Sequence, residues 1–270
     1  MLRSAAHSWR SLTIGVVCTS EMLNDLGRGG VMVSIARLRS IGAKVPWRLV
    51  VKALLAAVAW YALPYWIFIF LALSLYFIPV FRPFPLFVPF IVLFFLTAVL
   101  PADIFGAAFV GVSFFLLLGV KDLVLAKRDE RYLALVVVLL FGTGMWFFAD
   151  ADAGGSLFGT LILGAFFFAL AASYVRALGE DRELPMELRS HLRASALVSA
   201  LLIAEWAWAL FLLPLSESHR FMLYFIPAAL LVSFISEYAS GGPSRRSALV
   251  HFSVFLAAVV VLLASAHWEV

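Results

Sequence analysis

Residues 194–214 read ASALVSALLIAEWAWALFLLP, an apolar run in which Glu205 is the one charged side chain. A helix needs about 20 such residues to cross the roughly 30 Å of hydrocarbon in a bilayer. Inside lipid the backbone must satisfy its own hydrogen bonds, and an α-helix does so within one segment. The run therefore predicts a transmembrane helix.

Further apolar runs lie on both sides of this segment. They cover 49–79, 86–100, 104–120, 132–149, 157–177, 221–238 and 247–267. Hydrophobic residues make up 64% of the chain and charged residues 13%, whereas soluble domains are about 45–50% apolar and about 25% charged. We therefore predict an all-α fold, a polytopic transmembrane helix bundle with eight or nine membrane helices and no sizeable soluble domain.

Two of the runs have unusual lengths. A continuous helix over 49–79 would extend about 46 Å, which exceeds the hydrocarbon thickness. Pro64 lies at its midpoint and predicts a kink or a split into a short hairpin. The split gives nine crossings and an unbroken helix gives eight. The run 86–100 is short for a full crossing and is compatible with a partial helix.

The bundle is predicted to occupy residues 49–270, after a basic N-terminal segment at 1–48. This segment carries seven basic and two acidic residues. Its part at 20–42 interleaves leucine, valine and isoleucine with arginine, and Gly27, Gly29 and Gly30 interrupt it. Two interpretations stay open, an amphipathic segment lying on the membrane surface and a disordered tail.

Lysine and arginine are concentrated in alternate loops. The loops around 121–131, 176–193 and 239–246 carry ten of them, whereas 101–103, 150–156, 215–220 and the tail after 267 carry one. Because basic loops stay in the cytoplasm, we expect the first set to be cytoplasmic and the C-terminus to be non-cytoplasmic, in the plasma membrane. The net charge of +4 is thus a topology signal, and nucleic acid is not a predicted partner.

Glu205 is the most informative polar residue of the spans. Inserting a carboxylate near the middle of a span costs roughly 2.5–3.5 kcal/mol. We expect its side chain to face the bundle interior, to be paired or to be protonated. It is either a proton or cation site, or a buried carboxyl that joins helices by hydrogen bonding.

Four further side chains are candidates for function. Trp206 and Trp208 flank Glu205 and could shape a ligand pocket, or act as membrane anchors. His251 lies one turn inside the last span and Glu237 ends the span before it, so the short loop between them allows the two to approach. The pair is interpreted either as a proton relay or as an ordinary interfacial histidine beside a carboxylate.

The sequence contains no known catalytic motif. Phosphate-loop, HExxH, GxSxG and CxxC patterns are missing, and Cys18 has no second cysteine to pair with. We therefore predict neither a metal nor a cofactor.

Small residues recur at four-residue spacing in the run 157–177. They are Ala165, Ala169 and Ser173, with Thr160 and Gly164 beside them. Such stripes let helix backbones approach closely, either within the bundle or against a partner.

Three functions are compatible with this pattern. The first is a non-catalytic subunit or scaffold of a membrane assembly, the second a small secondary transporter or channel centred on Glu205, and the third an intramembrane enzyme acting on lipid or peptide. The scarcity of polar groups in the spans favours the first. The expected partners are membrane lipids, together with another membrane protein or further copies of the chain.

Overall fold

The computed structural model describes residues 47–78, 86–121, 128–149, 157–182, 184–239, 241–242 and 244–266. In these ranges the chain forms nine α-helices and no strand, which confirms the all-α prediction. They are α1 (Trp47–Ala62), α2 (Tyr65–Phe77), α3 (Phe87–Val99), α4 (Ile104–Lys121), α5 (Arg128–Ala149), α6 (Leu157–Asp181), α7 (Met186–Phe211), α8 (Glu217–Ala239) and α9 (Arg245–Ser265).

Six helices, α4 to α9, are long and apolar enough to cross a membrane. The helices α2 and α3 are apolar but have 13 residues each, about 20 Å of helix and less than the hydrocarbon thickness. The prediction of a membrane-embedded helix bundle is therefore supported, but the expected count of eight or nine crossings is not confirmed. Of the N-terminal segment 1–48, only Trp47 and Arg48 lie within the described residues.

The first apolar run is divided in the way that Pro64 predicts. The helix α1 ends at Ala62 and α2 begins at Tyr65, with Pro64 in an extended conformation between them. Its carbonyl accepts the amides of Ile67 and Phe68, which opens α2. Proline suits this position because it has no amide hydrogen to lose at a helix start.

Side chains or prolines also fix other helix starts. The Asp103 carboxylate accepts the Gly106 amide at 2.7 Å at the start of α4, and the Ser244 hydroxyl accepts the Ser247 amide at 3.0 Å at the start of α9. Such caps satisfy amides that the first turn leaves unpaired. Pro185 precedes α7, which begins eight residues before the apolar run at 194 because the polar segment there is also helical.

The core of the bundle surrounds α5. This helix packs against α3, α4, α6 and α8, while α7 packs against α6 and α8. The helix α9 packs against α8, and none of its residues is buried. The backbones of α6 and α7 approach closely at Gly164, where a Cβ atom would lie 3.1 Å from the Ala204 Cβ and 3.3 Å from the Ala200 carbonyl oxygen.

The helix ends that flank the predicted cytoplasmic loops lie at one end of the bundle, which we call the basic end. It holds the end of α4, the start of α5, the end of α6, the end of α8 and the start of α9. Arg182 donates to Asp129 with an Nε–Oδ2 distance of 2.9 Å, and the Tyr174 hydroxyl bonds the Ser236 hydroxyl at 2.7 Å. These contacts join the end of α6 to the start of α5 and to the end of α8. The side of the membrane to which this end belongs stays a prediction.

Candidate functional site

The Glu205 side chain lies on the outer surface of the bundle, and the expectation that it faces the interior is wrong. It is exposed, and within the described part of the chain no hydrogen bond or ion pair involves it. The reason is the rotational position of α7. Ile203, Ala207 and Leu210 form the face that packs against the core, and Glu205 points away from them.

Glu205 belongs to an exposed apolar face of α7. Val198, Leu201 and Leu202 lie on the same side and are 56%, 57% and 52% exposed. Residues 198, 201, 202 and 205 follow the three- and four-residue spacing that aligns side chains along a helix. The carboxylate lies six residues from the end of α7 at Phe211, about 9 Å along the helix axis. We call these four residues the α7 outer face.

Trp206 joins α7 to α8. Its indole Nε1–H donates to the carbonyl oxygen of Leu223 at 2.9 Å. In a regular helix the amide of residue 227 would take this carbonyl, but Pro227 has no amide hydrogen. Trp206 therefore supplies the donor that the proline removes. Trp208 is half-buried, and neither tryptophan lines the groove described below.

The structure brings His251 and Glu237 together at the basic end. The His251 Nε2 atom lies 3.7 Å from a Glu237 carboxylate oxygen, and the other oxygen accepts the Ser247 hydroxyl at 2.7 Å. The His251 Nδ1 atom lies 2.9 Å from the Ser247 carbonyl oxygen. Because a carbonyl can only accept, Nδ1 is the donor in this bond, and Nε2 is the ring atom that faces the carboxylate.

A groove lies between α8 and α9, next to this polar group. It has a volume of about 380 Å³. Its walls are apolar apart from His251, and they comprise Pro227, Leu230, Leu231, Phe234, Ala248, His251, Phe252 and Phe255. The groove is therefore apolar along its length and has a histidine at the end nearer the basic end of the bundle.

Lys121, which the sequence analysis counts only among the basic residues of the loops, lies in the last turn of α4. A lysine at the boundary of a span is usually an anchor that extends to the headgroups, but Lys121 is 2% exposed. Its ammonium donates to the carbonyl oxygen of Tyr76 and lies 5.1 Å from the centre of the Tyr76 ring. Tyr76 is in the last turn of α2, where carbonyls lack partners within the helix. Lys121 thus caps α2 from α4, and the helix dipole favours a cation there.

Two buried tyrosines form a polar cluster at the basic end. The rings of Tyr132 and Tyr174 stack with their centres 5.5 Å apart. The Tyr132 hydroxyl donates to the Ser173 hydroxyl at 3.2 Å, and Tyr174 bonds Ser236. The partners come from α5, α6 and α8, so the cluster links three helices. The sequence signal for this cluster is the position of the tyrosines near the ends of the apolar runs.

The described residues contain no group of three or more histidine, cysteine, aspartate or glutamate side chains placed to hold a metal ion. Comparisons of the chain with protein families, with characterised proteins and with solved structures give no match.

Proposed function

We propose that the protein is a non-catalytic subunit of a membrane assembly, and that the α7 outer face is where its partner docks. The observation that carries this proposal is the outward position of Glu205 on an apolar membrane helix. A carboxylate facing lipid at this depth is costly, by roughly 2.5–3.5 kcal/mol at the centre of a span. A partner that offers a hydrogen-bond donor or a cation removes this cost.

The partner is best described as a different protein with a transmembrane helix that carries a lysine, an arginine or an uncharged donor. A second copy would have to bring a lysine, an arginine or an uncharged donor level with Glu205. In the candidate spans of the described residues, the lysines and arginines lie at the basic end apart from Arg220, whose guanidinium donates to the Leu213 carbonyl oxygen. Charge complementarity therefore favours a different chain.

The interior of the bundle supports a scaffold over a transporter. A transport site usually gathers several polar groups near the middle of the membrane. The buried hydroxyls of Thr97, Thr143 and Thr160 instead donate to carbonyls three residues earlier in their own helices, at 2.7, 3.0 and 2.8 Å. These three hydroxyls are satisfied locally and need no transported ligand, whereas the buried hydroxyls of Ser113 and Tyr224 have no hydrogen bond within the described residues.

The proposal is tested by crosslinking in native membranes. A photoreactive amino acid replaces Leu202 on the α7 outer face, and in a matched control it replaces Val261, an exposed residue of α9. The expected result is one protein adduct of defined mass from position 202 and none from 261. Mass spectrometry of the adduct then shows whether the crosslinked helix carries a basic or donor residue level with Glu205.

Two variants test whether the carboxylate holds the partner. Glu205→Leu should abolish the adduct from position 202, and Glu205→Gln, which keeps hydrogen-bonding capacity, should preserve part of it. Lipid adducts alone, an adduct with a second copy, or an unchanged adduct in Glu205→Leu would each refute the proposal. A loss of ion or solute flux in Glu205→Gln proteoliposomes, without any protein adduct, would favour the transporter.

A further inference from the structure

We infer that the groove between α8 and α9 is a binding site for an anionic phospholipid, with its phosphate at Arg245 and one acyl chain along the apolar walls. The groove is distinct from the α7 outer face, and the inference does not depend on the proposed subunit function. Its walls are apolar, and one end adjoins the polar residues of the basic end. A phospholipid has the same division into a long apolar part and a charged head.

The length of the groove suits one leaflet. Its α9 wall runs from Ala248 to Phe255, and Arg245 begins the helix at the headgroup side. The ten residue-to-residue steps from 245 to 255 extend about 15 Å along the helix axis. This is half of the roughly 30 Å hydrocarbon thickness, so an acyl chain in the groove would place its phosphate level with the first turn of α9.

The charge at this end favours an anionic head. Arg245, Ala248, Phe252 and Phe255 follow one another at three- and four-residue spacing, so Arg245 continues the line of the groove wall by one turn. Arg246, the next residue, lies about 100° around the helix. Both arginine side chains are exposed. Basic side chains beside a span attract anionic lipids.

The nearby carboxylate does not cancel this attraction. One oxygen of Glu237 accepts the Ser247 hydroxyl, and the other faces the His251 ring. The acidic charge is thus held by partners at the junction of α8 and α9, whereas no ion pair joins Arg245 to another described residue. The site therefore has a cation for the phosphate and a histidine at the depth of the glycerol esters.

Binding is measured on the full-length protein, stripped of lipid in mild detergent. Phosphatidylglycerol and phosphatidylcholine with identical oleoyl chains are titrated separately, and the bound lipid is counted by native mass spectrometry. The expected result is one tightly held phosphatidylglycerol and weaker binding of phosphatidylcholine. Arg245→Gln should weaken phosphatidylglycerol binding about fivefold, the effect of one basic side chain near an anionic head. The matched control Arg246→Gln should cause a clearly smaller loss.

Two variants test the apolar part of the site. Ala248→Trp fills the groove and should abolish the tight lipid, whereas Leu249→Trp adds the same bulk on the exposed side of α9 and should not. Inorganic phosphate alone should not displace the lipid.

Several results would overturn the inference. One is that the two lipids bind equally well, and another is that the two arginine variants lose the same amount of lipid affinity. The others are that Ala248→Trp retains the tight lipid, that phosphate displaces the lipid, or that a second protein chain is held in place of lipid.

Discussion

At the scale of single residues, the recurring device is a side chain of one helix that donates to a carbonyl left unpaired in another. Lys121 does this for Tyr76, and Trp206 does it for Leu223. Trp60 is a third case, because its indole donates to the Thr97 carbonyl at 2.8 Å in the last turn of α3. A bare carbonyl is costly in an apolar environment, so each of these donors stabilises two helices together.

Lys121 should contribute measurably to stability. Lys121→Met leaves the Tyr76 carbonyl without its donor, which costs about 1–3 kcal/mol for a buried polar group. The melting temperature in mild detergent, followed by tryptophan fluorescence, should therefore fall. Arg193→Met removes a basic but exposed side chain at the same end of the bundle and should leave it unchanged. A Lys121→Met protein as stable as the parent would show that the cap has no energetic role.

The link between Trp206 and Pro227 can be measured by a double-mutant cycle. Trp206→Phe keeps the ring but removes the donor, and the expected loss is again about 1–3 kcal/mol. Pro227→Ala restores an amide that can bond the Leu223 carbonyl, so Trp206→Phe should cost less in that background.

The control for this cycle is Trp208→Phe, on the same helix. Trp208 makes no hydrogen bond with the described residues, so its loss should be small and independent of Pro227. Additive effects of Trp206→Phe and Pro227→Ala would contradict the assignment.

At the scale of helices, the sequence predicted where most helices end, but not which side of each helix faces the core. Pro64 predicted the division between α1 and α2, because proline disrupts helices by general rules. The direction in which the Glu205 side chain points could not be predicted, because it depends on which side of α7 packs against α6 and α8. The hydrogen-bond partner of the Trp206 indole was not predicted either. A proline within a span is nevertheless a usable signal, because the carbonyl four residues before it lacks its helical donor and needs another one.

The contact between α6 and α7 should depend on Gly164. A valine there brings methyl groups against the Ala204 side chain and the Ala200 carbonyl, which already lie within 3.1 and 3.3 Å of a Cβ position. Overpacking of this kind costs about 1–3 kcal/mol. Thermal unfolding in detergent should show the loss for Gly164→Val. Ala165→Val adds two methyl groups at the next, exposed position and should be neutral. Equal effects at both positions would mean that the close approach is unimportant.

At the scale of the whole molecule, the helices satisfy many of the buried polar groups and leave several apolar surfaces exposed. In the described part of the chain the buried Ser113 hydroxyl, Arg220 Nε and Tyr224 hydroxyl have no hydrogen-bond partner. The class of fold and the alternation of basic loops were predictable, because hydropathy and charge act on every residue. The two candidate surfaces, the α7 outer face and the groove, were not. Each depends on which side chains remain outside after packing, and the sequence does not determine this without the neighbouring helices. His251 and Glu237 are an exception, because a short loop forces their approach.

The position of α9 has a consequence for biosynthesis. Among the described helices this one is synthesised last, and none of its side chains is buried in the bundle. The preceding helices can therefore close their core before α9 enters the membrane. During that interval the side of α8 that carries Pro227 and Phe234 is open to the bilayer. A lipid that arrives then is enclosed when α9 is inserted, so the composition of the membrane at the time of synthesis would decide what the mature protein carries.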